Sequence, residues 1–176
     1  MIAIVDYKAG NLTSVKLALE YLGADCAITR DPAVIRGADR VIFPGDGAAA
    51  AAMGHLHELG LLDPLRDVIA KGTPTLGICL GTQVIFDWSD EDGGVACIGA
   101  MPGKVKRFAA PDPLCKIPQM GWNTMRFART HPLFEGIEDD SEFYFIHSYY
   151  PVPASQELVM GETHYADATF ASAVGR

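Results

Sequence analysis

Thr75-Leu-Gly-Ile-Cys-Leu-Gly-Thr-Gln83 runs from a short apolar strand into a tight turn and on toward a helix. Thr75–Ile78 reads as the strand, and Gln83 with Val84-Ile85-Phe86 reads as the continuing helix. Cys79 stands on the turn, with Gly77 and Gly81 two positions to either side. This is the strand–turn–helix pattern of a nucleophile elbow, with Cys where hydrolases often carry Ser. The flanking residues must be small, because the turn is sharp and two backbones approach closely there. The pattern places the thiol at a helix start, where the dipole and free N–H groups favour thiolate. It also places it at the C-terminal end of a parallel strand, where open α/β sheets bind ligands. A cysteine on its own is usually a small buried hydrophobe. The two glycines, the strand and the helix together make Cys79 the nucleophile candidate. Cys26, Cys97 and Cys115 lack such a setting and read as structural.

Outward from the elbow, the first half alternates strands and helices. Ile2–Asp6, Cys26–Thr29 and Arg40–Phe43 read as strands. Asn11 can cap a helix with Leu12, Val15, Leu19 and Leu22 on one face, ending at Gly23. Asp31-Pro32 opens a short second helix, and Ala48–Leu59 reads as a third. Asp63 followed by Pro64 reads as a cap and first helical residue, opening a helix that carries Leu65, Val68 and Ile69 to Gly72. Such alternation implies right-handed crossovers and a mostly parallel sheet with helices on both faces. The second half differs. Lys104–Phe108, Phe143–His147, Leu158–His164 and Phe170–Val174 read as strands joined by turns, hence antiparallel. Pro111, Pro113 and Pro118 mark an irregular connection, and no domain boundary is evident. Phe170–Val174 reads as a last strand without a partner, which predicts that residues continue beyond Arg176.

The chain has 176 residues and a net charge of −8, which disfavours phosphate backbones and so a nucleic-acid partner. No apolar run reaches the ~20 residues that span a bilayer. Met1-Ile-Ala-Ile-Val-Asp6 has no basic region and reads as a strand rather than a signal peptide. With no Cys-x-x-Cys spacing and no sign of secretion, the thiols read as reduced and the compartment as cytoplasmic. No metal-ligand spacing and no cofactor motif stands out.

Pro44-Gly-Asp-Gly47 follows the third strand. It is at least a turn, and its glycines allow backbone N–H groups to face an oxyanion on a neighbouring thioester intermediate. Among the histidines, His55 and His57 lie two apart on a helix and read as solvated. His131-Pro132 reads as a turn, and spacing alone leaves His147 and His164 both open as bases.

Gly77-Ile-Cys-Leu-Gly-Thr-Gln83 resembles the nucleophile motif of class I, triad-type glutamine amidotransferases. Asp6-Tyr-Lys-Ala-Gly-Asn-Leu12, Pro44-Gly-Asp-Gly47, Met120-Gly-Trp-Asn123 and Phe145-Ile-His-Ser-Tyr-Tyr150 narrow the resemblance to the glutaminase subunits of imidazole glycerol phosphate synthase. The resemblance runs over residues 1–176 and implies one flavodoxin-like α/β amidotransferase domain. It implies hydrolysis of glutamine to glutamate and ammonia, and transfer of the ammonia to a (β/α)₈-barrel cyclase subunit in histidine biosynthesis. By the same resemblance Cys79 attacks the amide, and the Asp46 and Leu80 amides form the oxyanion hole. Gly45, Gln83, Ser148 and Tyr149 hold the glutamine, while Asn11, Met120, Trp122 and Asn123 face the partner subunit.

The family's base and acid stand in a His-Pro-Glu that does not occur in these residues, so the resemblance gives that role to neither His147 nor His164. It implies that the domain is C-terminally incomplete and inactive alone. Asp46 departs from the small apolar residue usual there, and a carboxylate beside the thiol raises its pKa. Gln119 and Lys8 stand where His and Gly are more frequent. Two other readings remain: a non-catalytic docking or scaffold protein with the same fold, and a different cysteine hydrolase. Gln83 and the His-Ser-Tyr run argue against the latter.

Overall fold

The computed structural model describes residues 1–109 and 115–176, so Pro111 and Pro113 lie outside the described residues. The described residues form two compact units, Met1–Ala100 and Met101–Arg176.

In the first unit, β1 (Ile2–Val5), α1 (Leu12–Tyr21), β2 (Cys26–Thr29), α2 (Pro32–Gly37), β3 (Arg40–Gly45), α3 (Ala49–Glu58), α4 (Leu62–Lys71) and β4 (Thr75–Cys79) follow in turn. The strands form a parallel sheet in the order β2-β1-β3-β4. The chain steps outward from β1 to β2, then back past β1 to β3 and β4. Right-handed crossovers therefore put α1 on one face and α2, α3 and α4 on the other. The central strand β1 is buried on both sides, which is why it reads as an unbroken apolar run. Ala3, Val5, Val41 and Phe43 pack with Ile35, Leu56, Leu65 and Val68 from the helices on one face. Each of those leucines contributes roughly 1.5–3 kcal/mol through the area it removes from water.

Local signals set most boundaries. The Asn11 side chain accepts from the Ser14 N–H, and Asp31 accepts from Ala33 N–H at 2.8 Å. Two features need tertiary contacts. The α3 N-terminus has no cap of its own, and the Glu91 carboxylate accepts from the Ala49 N–H at 2.7 Å. The helix α4 starts two residues earlier than Asp63-Pro64 suggests, with Leu61 as its cap. Pro64 is tolerated because the first four N–H groups of a helix have no partner within it. After β4, α5 is only Leu80–Gln83, a single turn, and the expected helix through Phe86 does not form. Instead the amides of Ile98, Gly99 and Ala100 bond back to Val84, Phe86 and Ile85, pinning that segment from outside. A short hairpin, β5 (Trp88–Ser89) with β6 (Val95–Ala96), completes the unit.

The second unit is antiparallel. β7 (Gly103–Arg107) is followed by β8 (Gln119–Phe127), β9 (Ser141–His147), β10 (Tyr149–Pro153), β11 (Val159–Tyr165) and β12 (Ala168–Val174). β8 pairs with β9, with Trp122 opposite Tyr144, and the sheet runs β12-β11-β8-β9. β7 pairs with β10. The last strand is not unpartnered as its sequence suggests: β12 forms a hairpin with β11, Phe170 opposite Thr163. Its partner precedes it, where the expectation looked only beyond it. Phe108, His147, Tyr150 and Phe170 pack ring against ring, and Phe127 stacks on Phe134 at 4.3 Å. No helix is long and apolar enough to cross a membrane among the described residues.

Candidate active site

Cys79 closes β4 with φ 55° and ψ −118°, a left-handed backbone that a residue with a side chain adopts at a cost of order 1–3 kcal/mol. The chain must reverse between strand and helix within one residue, and this conformation turns the thiol out of the sheet. The register puts Gly45, the last residue of β3, opposite Cys79. The turn after Gly45 and the first turn of α5 thus flank the sulfur. Gly45 and Gly81 are required by contact. A Cβ on residue 45 would collide with the Tyr7 hydroxyl and stand 2.8 Å from the Gly81 nitrogen. A Cβ on residue 81 would collide with the Phe43 carbonyl.

The thiol does not behave as the helix-start argument suggests. Enclosure of the sulfur raises the Cys79 pKa, the Leu80 N–H bonded to it lowers it, and the Asp46 carboxylate raises it again. One helical turn supplies little dipole, so burial and charge prevail. Part of the residue still reaches solvent. Asp46 itself is exposed, and its carboxylate accepts from the Gly10 N–H at 3.1 Å. That bond ties the turn after β3 to the loop after β1, whose next residue is the helix cap Asn11. The same loop is held by Lys8, which pairs with Glu58 at 2.7 Å.

The first unit therefore brings Cys79, Leu80, Gly45 and Asp46 together, with Gln83 at the end of α5 and Asn11 in the adjoining loop. Ser148, Tyr149, Met120, Trp122 and Asn123 belong to the second unit. Ser148 lies between β9 and β10, and its carbonyl accepts from Phe108 N–H at 3.0 Å. Tyr149 opens β10 opposite Arg107. Met120 and Trp122 are 61% and 68% exposed on one face of β8, beside Tyr144 and Ile146 of β9, which are also exposed. Asn123 points to the other face, where its amide donates to the His164 carbonyl at 2.9 Å.

His147 is half-buried; its Nδ1 donates to the Tyr149 carbonyl at 2.8 Å and its Nε2 meets the Gln119 amide at 3.1 Å. His164 contacts the Thr169 hydroxyl at 3.3 Å. His57 is exposed as expected, but His55 is half-buried, and its Nδ1 has no hydrogen-bond partner among the described residues. Among the described residues no three His, Cys, Asp or Glu side chains converge as a metal requires. Sequence reasoning assigned no role to Tyr7, which lies fully buried beneath Gly45. Its position two residues past the C-terminal end of β1 was the available signal, since ligand sites gather at such ends.

An open parallel sheet with a strained cysteine elbow at the C-terminal end of an edge strand defines a nucleophilic α/β enzyme domain. Comparison with known proteins narrows the class. Residues 3–175 match the model of the family described as glutamine amidotransferase class-I. The imidazole glycerol phosphate synthase subunit HisH of Moorella thermoacetica is 49% identical over 164 residues, 93% of this chain and 77% of that protein. The HisH subunit of Dehalococcoides mccartyi is 46% identical over 165 residues, 94% of this chain and 79% of its own. Among solved structures, a glutamine amidotransferase superposes with TM-score 0.70 over 98% of this chain and 89% of its own, at 16% identity. The glutaminase domain of Trypanosoma brucei CTPS with bound acivicin gives 0.66 over 96% and 78%, at 15% identity. The last two likenesses concern the fold alone. The chain belongs to the class I glutamine amidotransferases, within the HisH subunits of imidazole glycerol phosphate synthase.

Proposed function

We propose that the chain is the glutaminase subunit of an imidazole glycerol phosphate synthase of histidine biosynthesis, acting in the cytoplasm with a (β/α)₈-barrel cyclase subunit. The observation that carries this reading is the Cys79 elbow, with Gly45 opposite it and the Leu80 N–H on its sulfur. In this reading the Cys79 thiolate attacks the glutamine amide carbon. The oxygen takes up negative charge and is met by the Asp46 and Leu80 N–H groups. Ammonia leaves with a proton, and water then releases glutamate from the thioester. Gly45, Gln83, Ser148 and Tyr149 hold the substrate. Met120 and Trp122, with Asn11, face the cyclase, and Asn123 on the opposite face of β8 supports that strand from behind through its bond to the His164 carbonyl. The exposed Met120, Trp122, Tyr144 and Ile146 support this, since aromatic side chains and Met are enriched in interfaces.

The 176 residues contain no His-Pro-Glu. We expect these residues mixed with the cyclase to lack steady turnover, because general acid–base catalysis typically supplies about 10²–10⁴-fold. The same observation supports a second reading, a docking protein with an unused fold. Labelling with a glutamine-shaped chloroketone separates the two. Modification of Cys79 that glutamine prevents supports the glutaminase, and modification that glutamine leaves unchanged supports the docking protein.

A further inference from the structure

The Tyr7 side chain is fully buried, and its hydroxyl has no hydrogen-bond partner among the described residues. Such a group costs stability that a phenylalanine in the same place would not. Its ring rests against Phe43, with centroids 5.0 Å apart. Its oxygen abuts Gly45, where a Cβ would collide with it. Burial, with the Asp46 and Cys79 charges, raises its pKa well beyond the ordinary phenol range, so it remains a donor. Gly45 stands opposite the nucleophile, and its carbonyl belongs to the same peptide group as the Asp46 N–H. In a trans peptide the two point in opposite directions. A donor on the Gly45 carbonyl therefore sets the direction of the Asp46 N–H.

We propose that Tyr7 is a positioning residue for glutamine hydrolysis. Its hydroxyl donates to the Gly45 carbonyl once substrate is bound, and so aims the Asp46 N–H at the oxyanion. This rests on the glutaminase reading above. The bond is absent from the resting chain and forms with substrate in place, so it speeds the reaction to the extent that the aimed Asp46 N–H meets the oxyanion more strongly than the ground-state carbonyl.

The test compares the chain with its Tyr7→Phe variant. Each is treated with a glutamine-shaped chloroketone, whose carbonyl must occupy the oxyanion position, and with iodoacetamide, which needs only the thiolate. Modification of Cys79 is followed by peptide mass spectrometry, and thermal melts are recorded. Tyr7→Phe is expected to lower the chloroketone rate about 3- to 10-fold, the worth of one neutral hydrogen bond. It leaves the iodoacetamide rate unchanged and the melting temperature equal or higher. Equal chloroketone rates, an equal loss with both reagents, or a lower melting temperature would each overturn the proposal. Labelling of the unsubstituted chain that glutamine does not prevent overturns the glutaminase reading and this inference with it. Glutamine-protected labelling without a Tyr7→Phe effect overturns only the inference.

Discussion

Gly81 lies against the carbonyl of Phe43, so close that a Cβ on residue 81 would come within 2.9 Å of the carbonyl carbon and nearer still to its oxygen. Two backbones, α5 and β3, meet there without a side chain between them. The carbonyl belongs to a strand held in register on both sides and cannot retreat. Gly81→Ala should therefore cost at least the upper end of the roughly 1–3 kcal/mol typical of overpacking. Thermal melts should show a fall of several degrees, about 2–4 °C per kcal/mol for a chain this long. Gly77→Ala, whose nearest contact is 3.0 Å from Thr82, should cost less. Equal melts for the two variants would contradict the contact.

The pH dependence of Cys79 follows from its surroundings. Enclosure and the Asp46 charge hold its pKa above the ordinary thiol value, so thiolate is scarce at neutral pH. Alkylation of Cys79 should accelerate with pH to a midpoint above that value. Asp46→Asn removes a negative neighbour, which favours the anion and moves the midpoint down. Faster iodoacetamide labelling at pH 7.5 is the expected result. An unchanged profile would mean that the sulfur does not sense the carboxylate.

Cys79→Ser replaces the thiol by a hydroxyl of far higher pKa. Added to the cyclase with any further residues that complete the glutaminase, it should support no glutamine-dependent synthesis. Synthesis from added ammonia should continue. Loss of both activities would make Cys79 a structural residue.

Trp122 is 68% exposed and stacks edge-to-face on Tyr144, with centroids 5.6 Å apart. Trp122→Ala should hardly move the melting temperature, as surface substitutions stay within about ±0.5 kcal/mol. Affinity for the cyclase should fall by about 2 kcal/mol or more if this pair is an interface anchor. Titration calorimetry checks it, and unchanged affinity would reject the face.

His147 is biased toward its neutral form. Burial lowers its pKa, and the bond to the Tyr149 carbonyl only partly opposes this. The unfolded chain binds a proton near the ordinary value of 6.5, the folded chain only at lower pH. Between those two values unfolding takes up a proton, so stability is full above about 6.5 and declines as pH falls below it. Melts of the chain and of His147→Asn at pH 7.5 and 5.5 test this. The variant should lose less on acidification.

Short-range chemistry makes most of the first half legible from the residues alone. The period of apolar residues and the caps Asn11 and Asp31 place β1 to β4 and α1 to α3 within a residue or two. The glycines around Cys79 locate the elbow, because only residues without side chains let the strands and turn approach there. Long-range contact decided the rest. Glu91 caps a helix 42 positions away, and three distant amides stop α5 after one turn. Met120-Gly-Trp-Asn123 is legible as a motif but not as strand β8, since its ladder partners, Phe143 to Ile146, lie in a strand beyond an intervening loop. The thiol pKa reverses the local expectation, because enclosure and Asp46 outweigh a single helical turn. Tyr7 stands in the Asp6–Leu12 stretch of the sequence without a role of its own. Only the pairing of β1 beside β3 in the sheet, with Tyr7 just past the end of β1, puts its hydroxyl against Gly45, and desolvation, which no local pattern encodes, makes that oxygen matter.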